Sequence, residues 1–369
     1  MSHAQTMNAA RLHGAGDVRV EQVGAPRAPR PGEVLLRVGF VGICGSDLHV
    51  YLKGRIGSTR VDGPHVLGHE FGGTVEAVGE NALDGNGRPL PKHARVAVDP
   101  AVPCRTCESC VAGHPNLCPH HTFVGLYPTP GALCERLLVP AWVCFPVPAE
   151  IPDEQVPLLE TLGVALHAVD LAHVRVASSV AIIGAGAVGL LVAQVARLAG
   201  ARPVFVTDRL PWRLQLAQRS GGEPVDVDAS DPVRTIMNAT RNRGVDVALE
   251  CAWSTDESVA QAVDVLRPGG RLVIVGIPDE DRLTLVHSTA RRKGLTIAMS
   301  RRMKHTYPRA IALAECKEVD LDSLISHRFP LSAAADAIRC AAHYDAGVLK
   351  VVVGADNWGR DKFQFLPSP

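Results

Sequence analysis

A short segment of the chain, Gly42–His49, brings four reactive side chains into six consecutive residues. They are a thiol, a hydroxyl, a carboxylate and an imidazole, from Cys44, Ser46, Asp47 and His49. Glycines on both sides of the cysteine let the backbone bend sharply and let another group approach. By itself the segment indicates either a metal or nucleophile site or a tight turn around a buried cysteine, so the rest of the chain must decide between them.

A second pair of possible metal ligands follows at His69 and Glu70. Both stand between glycines, just before a β-branched run, as expected for a loop that leads into a strand. Together with Cys44 they would supply one thiolate, one imidazole and one carboxylate to a zinc ion. Three protein ligands leave a fourth position for water or substrate, which a catalytic zinc requires.

Four cysteines lie close together in the segment 104–118, with the spacing C-x2-C-x2-C-x7-C: Cys104, Cys107, Cys110 and Cys118. Four thiolates at this spacing can surround one tetrahedral zinc ion and leave no open position, which is typical of a structural site. Disulfides, free thiols and an iron–sulfur cluster are the alternatives. We favour structural zinc, because three cysteines in a tight run with a fourth after Pro115 fit a cluster less well.

A nucleotide-binding motif begins after the apolar run Val180–Ile183. The sequence Gly184-Ala185-Gly186-Ala187-Val188-Gly189 has the G-x-G-x-x-G pattern and leads into a predicted helix that ends near Gly200. Asp208 ends the next predicted strand, 19 residues after the last glycine. Between a strand and a helix, this pattern predicts a dinucleotide site with the pyrophosphate at the helix N-terminus. Asp208 would bind the adenosine ribose and repel a 2′-phosphate, so NAD is favoured over NADP although Arg209 adjoins it.

The rest of the second half alternates strands and helices, which predicts a doubly wound parallel sheet. Predicted strands are Val245–Glu250 and Arg271–Gly276, with a helix from Ser258 to Leu266 and a turn at Pro268-Gly269-Gly270. The first 150 residues instead read as short strands broken by proline and glycine. Between the two parts, apolar residues at helical spacing predict a helix within 151–172. This helix contains Glu160, which is either a solvated position or a carboxylate that points into a site.

Composition bounds the function further. The chain has 369 residues, enough for two domains, and equal totals of basic and acidic residues, 38 each. Zero net charge gives no support for nucleic acid or an anionic membrane as partner, and it argues against a nucleic-acid-binding zinc finger. The most apolar run, Val180–Ala193, is too short to span a bilayer and contains three glycines. With no signal-peptide pattern at the start, the ten cysteines favour reduced thiols, so we expect a cytoplasmic enzyme.

A cysteine, histidine and glutamate set followed by a dinucleotide domain predicts hydride transfer between an alcohol on zinc and a nicotinamide. Ser46 and His49 are close enough to Cys44 in sequence to relay the released proton. Asp47 is assigned only a local structural role. These motifs resemble the zinc-dependent medium-chain dehydrogenase/reductase family over nearly the whole chain. The branch that the sequence resembles most is that of the sorbitol (polyol, L-iditol) dehydrogenases, through the segments 44–47, 54–57, 66–70 and 327–331.

The resemblance implies a GroES-like, mainly β catalytic domain from residues 1–162 and 304–369, with a structural-zinc lobe at about 100–120. It implies a Rossmann NAD-binding domain from residues 163–303, two zinc ions per chain, and a homotetramer, with a dimer as the alternative. Glu160 falls where this branch has a carboxylate that reaches the metal directly or through water, beside the ligands Cys44, His69 and Glu70. The predicted cofactor residues are Gly184, Gly186, Val188, Gly189, Asp208, Arg213, Cys251, Val275 and Gly276, and the predicted substrate pocket contains Ser46, Ile56, Phe123 and Arg302.

Two departures from the sorbitol pattern leave the substrate open. Val50 stands where the branch commonly has a tyrosine, and Met303 replaces an aromatic residue after Arg302. The expected substrate is a polyol or sugar alcohol that is oxidised to a ketose. The alternatives are an aldonate such as idonate, a vicinal diol such as butanediol, or threonine. The basic side chains of Arg301, Arg302 and Lys304 would suit an aldonate, although for Arg301 and Lys304 we favour a solvated basic face. A nucleotide-binding protein without catalysis is a further alternative, but it would be expected to have lost a ligand, and all are present.

Overall fold

The computed structural model describes residues 5–253, 255–343 and 347–356. In chain order the described strands are β1 (Thr6–Gly14), β2 (Asp17–Gly24), β3 (Glu33–Gly42), β4 (Arg55–Ile56), β5 (Thr59–Arg60), β6 (His65–Val66), β7 (Glu70–Val78), β8 (Arg95–Val98), β9 (Ala101–Val102), β10 (Thr122–Phe123), β11 (Arg136–Pro140), β12 (Cys144–Pro146), β13 (Val180–Ile183), β14 (Val204–Asp208), β15 (Glu223–Asp226), β16 (Val245–Glu250), β17 (Leu266–Ile274), β18 (Thr296–Met299), β19 (Ile325–Pro330) and β20 (Lys350–Gly354).

The α-helices, in the same order, are α1 (Gly45–Lys53), α2 (Glu108–Val111), α3 (Leu158–Ala172), α4 (Ala187–Leu198), α5 (Pro211–Arg219), α6 (Pro232–Ala239), α7 (Asp256–Asp264), α8 (His287–Lys293), α9 (Tyr307–Glu315) and α10 (Ala334–Ala342). Short 3-10 helices are Pro115–Leu117, Ala141–Val143, Asp153–Gln155, Asp322–Leu324 and Leu331–Ala333. None of the helices in the described ranges is long and apolar enough to cross a membrane.

The chain divides into two compact units. Met1–Glu160 with Tyr307–Pro369 form one, the β unit, and Thr161–Thr306 form the other, the parallel-sheet unit. The predicted domain boundaries, 162/163 and 303/304, compare with observed divisions at 160/161 and 306/307.

The β unit is built around a seven-stranded sheet in the order β12-β8-β7-β3-β20-β19, with β11 also paired to β3. Its central strand, β3, alternates buried and less buried residues because one face packs on the core. Val34, Leu36 and Val38 supply that face and are at most 5% exposed. Strand β20 pairs antiparallel with β3, so Lys350–Gly354 lie beside the strand that leads into Cys44.

The parallel-sheet unit contains six parallel strands in the order β15-β14-β13-β16-β17-β18. Strand β13 is buried throughout, as its continuous apolar sequence predicts for a central parallel strand. The strand order changes direction between β14 and β16, on either side of β13, and ligands of such sheets bind at this switch point. The predicted Rossmann arrangement is therefore confirmed.

The turn predicted at Pro268-Gly269-Gly270 is wrong as a strand boundary. These residues lie inside β17, where Leu266 pairs with Val245 and Arg271 pairs with Val247. The extra residues form an irregularity in the ladder, with Gly269 at φ 71°. Residues 267–270 stand opposite Asp246 alone and pairing resumes at Arg271, so proline and glycine here mark an irregularity inside the strand.

Candidate functional site

The site in the β unit begins where β3 ends and α1 starts. Cys44 is the N-cap of α1 and has an extended backbone. Its amide donates a hydrogen bond to Asp47 Oδ2 at 2.9 Å, which satisfies an amide at the helix start that has no intrahelical acceptor. This local bond fixes Cys44 at the top of the helix, with Ser46 and His49 one turn apart along it.

Glu70 reaches the same place through sheet register. It is the first residue of β7 and pairs directly with Gly42 of β3. A methyl group at position 42 would collide with Oε2 of Glu70, so only glycine leaves room for this carboxylate. The first glycine of the reactive segment therefore has a specific function, which is to let Glu70 lie against the backbone next to Cys44.

Cys44, His69 and Glu70 form a metal-ligand group. One ligand atom from each lies within 4.8 Å of the others, and His69 and Glu70 are buried. Thiolate, imidazole and carboxylate are all donors that zinc accepts, and three ligands fit a site with an open position. The donor set therefore fits the predicted catalytic zinc.

A buried aspartate orients the histidine of this group. His69 Nδ1 lies 3.3 Å from Asp47 Oδ1, and His69 Nε2 lies 3.4 Å from the Ser46 hydroxyl. Burial opposes the charged form of each partner, but the attraction between them prevails, so the pKa of Asp47 is lowered and that of His69 is raised. Asp47 is thus more than a local structural carboxylate, since it leaves Nε2 as the nitrogen available to a metal.

A lysine that the motifs did not reveal also belongs to the site. Lys350 Nζ lies 2.7 Å from both carboxylate oxygens of Glu70 and 3.4 Å from the carbonyl oxygen of Ile43. Burial opposes its charge, but Glu70 attracts it, and the pKa of Lys350 is raised. The only signal in the sequence is a charged residue at the start of an otherwise apolar strand.

Glu160, in the first turn of α3, is 6% exposed. Burial, and next the charge of Glu70, raise its pKa to about 8. It is not part of the three-residue ligand group, so its direct ligation of zinc stays a prediction. The solvated-helix alternative is wrong, because the side chain is buried.

The predicted pocket residues lie in both units. In the β unit, the Phe123 ring centre is 5.4 Å from that of His69, and His69 in turn contacts Ser46. His49 is buried, with 6% of its surface exposed. Ile56 lies in the short hairpin of β4 and β5. Arg302 lies in the parallel-sheet unit, with a left-handed backbone at φ 56°, which is unusual for a residue other than glycine.

The four-cysteine lobe is a second ligand group. Its four Sγ atoms lie within 4.8 Å of one another, and all ten cysteines are free of disulfides. Cys104 Sγ accepts the amide of Cys107 at 3.3 Å, and backbone donors at Thr106 and Cys107 lower the pKa of Cys104 to about 5. Burial and the neighbouring thiols raise the pKa of Cys110 to about 12. Four thiols this close without a bond between them fit one closed zinc site, and the disulfide alternative is wrong.

The predicted cofactor residues collect at one edge of the parallel-sheet unit. The glycine-rich loop joins β13 to α4, Cys251 follows β16, and Val275 and Gly276 follow β17. These are carboxyl ends of neighbouring strands, where α/β sheets bind ligands. A methyl group on Gly189 would collide with the carbonyl oxygen of Gly184, so glycine is required for the helix to start this close to the strand.

Asp208 is already tied to this loop. Its carboxylate accepts the amides of Ala185 at 2.8 Å and Leu210 at 2.9 Å. Arg213 of α5 is 7% exposed, and its Nη1 lies 3.9 Å from Asp208. The carboxylate therefore stands at the end of β14, beside the loop expected to carry the pyrophosphate.

Known proteins resemble both units. The "Alcohol dehydrogenase GroES-like domain" family matches residues 30–149, and the "Zinc-binding dehydrogenase" family matches residues 187–315. The sorbitol dehydrogenase of Bacillus subtilis (strain 168) is 34% identical, over 96% of this chain and 99% of its own length.

Two solved structures show the same architecture. A protein described as a zinc-binding dehydrogenase from Sinorhizobium meliloti 1021, bound to NADP, has a TM-score of 0.85 and 33% identity, covering 95% of this chain and 99% of its own. The 2R,3R-butanediol dehydrogenase of Bacillus subtilis has a TM-score of 0.84 and 29% identity, covering 95% of this chain and 100% of its own.

Proposed function

This chain belongs to the zinc-dependent medium-chain dehydrogenase/reductase family, in the branch similar to sorbitol dehydrogenases, and from that premise we propose that it oxidises a secondary alcohol of a polyol to a ketose with NAD+. The observation that carries the proposal is the convergence of Cys44, His69 and Glu70 within 4.8 Å. The β unit would be the catalytic domain and the parallel-sheet unit the NAD-binding domain.

The side chains around the ligand group have separable roles. When bound, zinc supplies Lewis acidity toward the alcohol oxygen, and the nicotinamide accepts the hydride. Ser46 Oγ, beside His69, takes the hydroxyl proton and passes its own proton toward His49, one turn along α1. Asp47 contacts Nδ1 of His69 and so holds the ring with Nε2 on the side away from Asp47, where it is available to a metal.

The cofactor preference follows from Asp208. Its carboxylate stands beside the phosphate loop, where it can accept hydrogen bonds from ribose hydroxyls and repel a 2′-phosphate. A relative solved with NADP means that both cofactors must be tested. We expect NAD to be preferred, with the pyrophosphate held at the start of α4 by Gly184, Gly186, Val188 and Gly189.

A panel of substrates tests the proposal. Purified zinc-loaded protein is incubated with NAD+ or NADP+ and with polyols, aldonates, vicinal diols or threonine, and reduced cofactor is followed by its absorbance. Polyol turnover with NAD+ is the expected result. Turnover of an aldonate or a diol alone would replace the substrate, and no turnover of any alcohol would overturn the dehydrogenase proposal.

We further propose a homotetramer in the cytoplasm. Strand β18 ends the parallel sheet and exposes Ile297 at 39% and Met299 at 61%, and an apolar edge strand of this kind favours pairing with a second copy. Ten unpaired cysteines support a reducing compartment. Light scattering on the eluted protein gives the oligomer mass, and a monomer would contradict the assembly.

A further inference from the structure

A lysine far along the chain lies against a proposed zinc ligand. Lys350 is 280 residues from Glu70, and its ammonium nitrogen is 2.7 Å from each carboxylate oxygen. Lys350 is 4% exposed and Glu70 is 1% exposed. Burying two charged groups costs desolvation free energy, which is recovered only when the geometry of the pair is good. The geometry of the Lys350–Glu70 pair is therefore informative.

The equal distances define where the ammonium group lies. A nitrogen equally close to both oxygens stands on the bisector of the carboxylate, in front of the two oxygen atoms. A carboxylate uses this same face when it binds a metal ion through both oxygens. With Lys350 there, Glu70 keeps lone pairs for a metal only on the outer sides of its oxygens.

The backbone holds both partners in this arrangement. Glu70 pairs with Gly42 across the sheet, and β20 pairs with β3 through Val352 and Gly42. Lys350 Nζ also lies 3.4 Å from the carbonyl oxygen of Ile43, the residue before Cys44. Three strands therefore fix the lysine relative to the carboxylate, so the contact does not depend on a flexible surface side chain.

We propose that Lys350 is a positioning residue that limits Glu70 to ligation through a single oxygen and so keeps one position at the catalytic zinc open for the substrate. The inference rests on the proposed function, because it assigns zinc to Cys44, His69 and Glu70. Without the lysine, Glu70 turns both oxygens toward the metal, and the added oxygen makes the ion five-coordinate and crowds the position that the substrate oxygen needs.

The lysine also sets the charge of the site. The Cys44 thiolate and the carboxylates of Glu70 and Asp47 together carry one negative charge more than a divalent ion balances, and Lys350 offsets it. This added positive charge favours the negative charge that develops on the alcohol oxygen as its proton leaves. Loss of Lys350 therefore lowers turnover through coordination and charge together.

The test replaces the lysine with a side chain of similar length and no charge, Lys350→Met. Cobalt(II) is introduced in place of zinc, and the visible spectrum of a Cys44→Ser protein is subtracted to remove the contribution of the four-cysteine lobe. Four-coordinate cobalt absorbs strongly and five-coordinate cobalt weakly. The catalytic-site absorption is expected to fall at least about twofold, with the metal content unchanged.

Metal content separates this role from a structural one. We expect Lys350→Met to keep both zinc ions while kcat falls about tenfold or more. An unchanged cobalt spectrum would overturn the inference, and so would loss of zinc from the catalytic site, because a lysine that merely supports the fold would release the metal. If the methionine variant does not fold, Lys350→Gln is measured in the same way.

A control variant, Lys293→Met, and the Cys44→Ser reference distinguish a failure of this inference from a failure of the proposed function. Lys293 is a half-buried lysine in the parallel-sheet unit that donates to the carbonyl oxygens of Val263 and Asp264. Lys293→Met should leave the cobalt spectrum unchanged. If the wild-type protein shows no spectrum beyond that of Cys44→Ser, the zinc site of the proposed function fails. If the wild-type protein does show an additional spectrum and Lys350→Met shows the same one, only the role proposed for Lys350 is contradicted.

Discussion

In the β unit the reactive groups are buried side chains from distant parts of the chain, whereas in the parallel-sheet unit the cofactor edge is built mainly from backbone at the ends of neighbouring strands. Asp47, His69, Glu70 and Lys350 are all at most 6% exposed. The glycine-rich loop instead places amide groups at the start of α4. A site of buried charges needs a partner for each charge, and a backbone site needs only space and the right helix start.

The same contrast appears between the two metal-ligand groups. The four cysteines lie within one lobe of 15 residues, and their arrangement is local. Cys44, His69 and Glu70 come together only because β3, β7 and α1 meet, and a carboxylate and a lysine then orient two of them. We therefore expect the local group to matter for stability and the assembled group to matter for chemistry.

The largest effect is expected for Cys44→Ser, which removes a ligand of the assembled group. Turnover should fall about a thousandfold or more, because the Lewis acid is worth several kcal/mol. Zinc content should fall from two ions per chain to one. Turnover that survives together with only one zinc would mean that the assembled group is not the catalytic centre.

Next in size is Asp208→Ala at the backbone site. The Kd for NAD+ should rise about tenfold to a hundredfold, since hydrogen bonds to a charged group are lost. NADP+ binding should weaken less. Titration of both cofactors measures the ratio, with Asp208→Asn as the matched variant that removes charge alone. Equal losses for both cofactors would show that Asp208 only supports the loop.

A smaller effect on chemistry is expected for Cys107→Ser in the four-cysteine lobe. One zinc is lost and the melting temperature falls by about 5 to 10 °C, because metal binding contributes to folding. Turnover per folded molecule should stay within about twofold of wild type. A loss of activity as large as that of Cys44→Ser would remove the distinction between the two groups.

The smallest effect is expected for a charge network of the parallel-sheet unit. Asp246 is hydrogen-bonded by Ser179, Arg243 and Arg267, and although burial opposes its charge, these donors lower its pKa. Asp246→Asn should cost about 1–2 kcal/mol of unfolding free energy and leave turnover unchanged.

The sign of the pH dependence follows from the lowered pKa. The folded protein holds Asp246 ionised more strongly than the unfolded chain does, so its contribution is complete above about pH 4 and is lost as the pH falls further. Denaturation of wild type and Asp246→Asn at several pH values should therefore show a stability difference that shrinks in acid. A difference that stays constant below pH 4 would contradict the ionic origin.

The sequence predicted the parallel sheet well because its signals are local. Continuous apolar strands, the glycine motif and Asp208 lie in one stretch, and the structure places each where the pattern indicates. The turn at Pro268-Gly269-Gly270 was the exception, because proline and glycine occur both in turns and at irregular positions inside strands, and only pairing with β16 distinguishes the two.

The metal ligands were also determined by the sequence, since cysteine, histidine and glutamate next to glycine have few other uses in such a pattern. The residues that contact these ligands could be identified only from the tertiary structure. Asp47 contacts His69 because α1 lies against the loop before β7, and Lys350 reaches Glu70 because the C-terminal strand adds to the sheet beside β3. Ligand types are properties of individual residues, but the pairing of buried charges depends on which strands become neighbours. No spacing in a linear sequence records that register, and for this reason the lysine was found only in the folded chain.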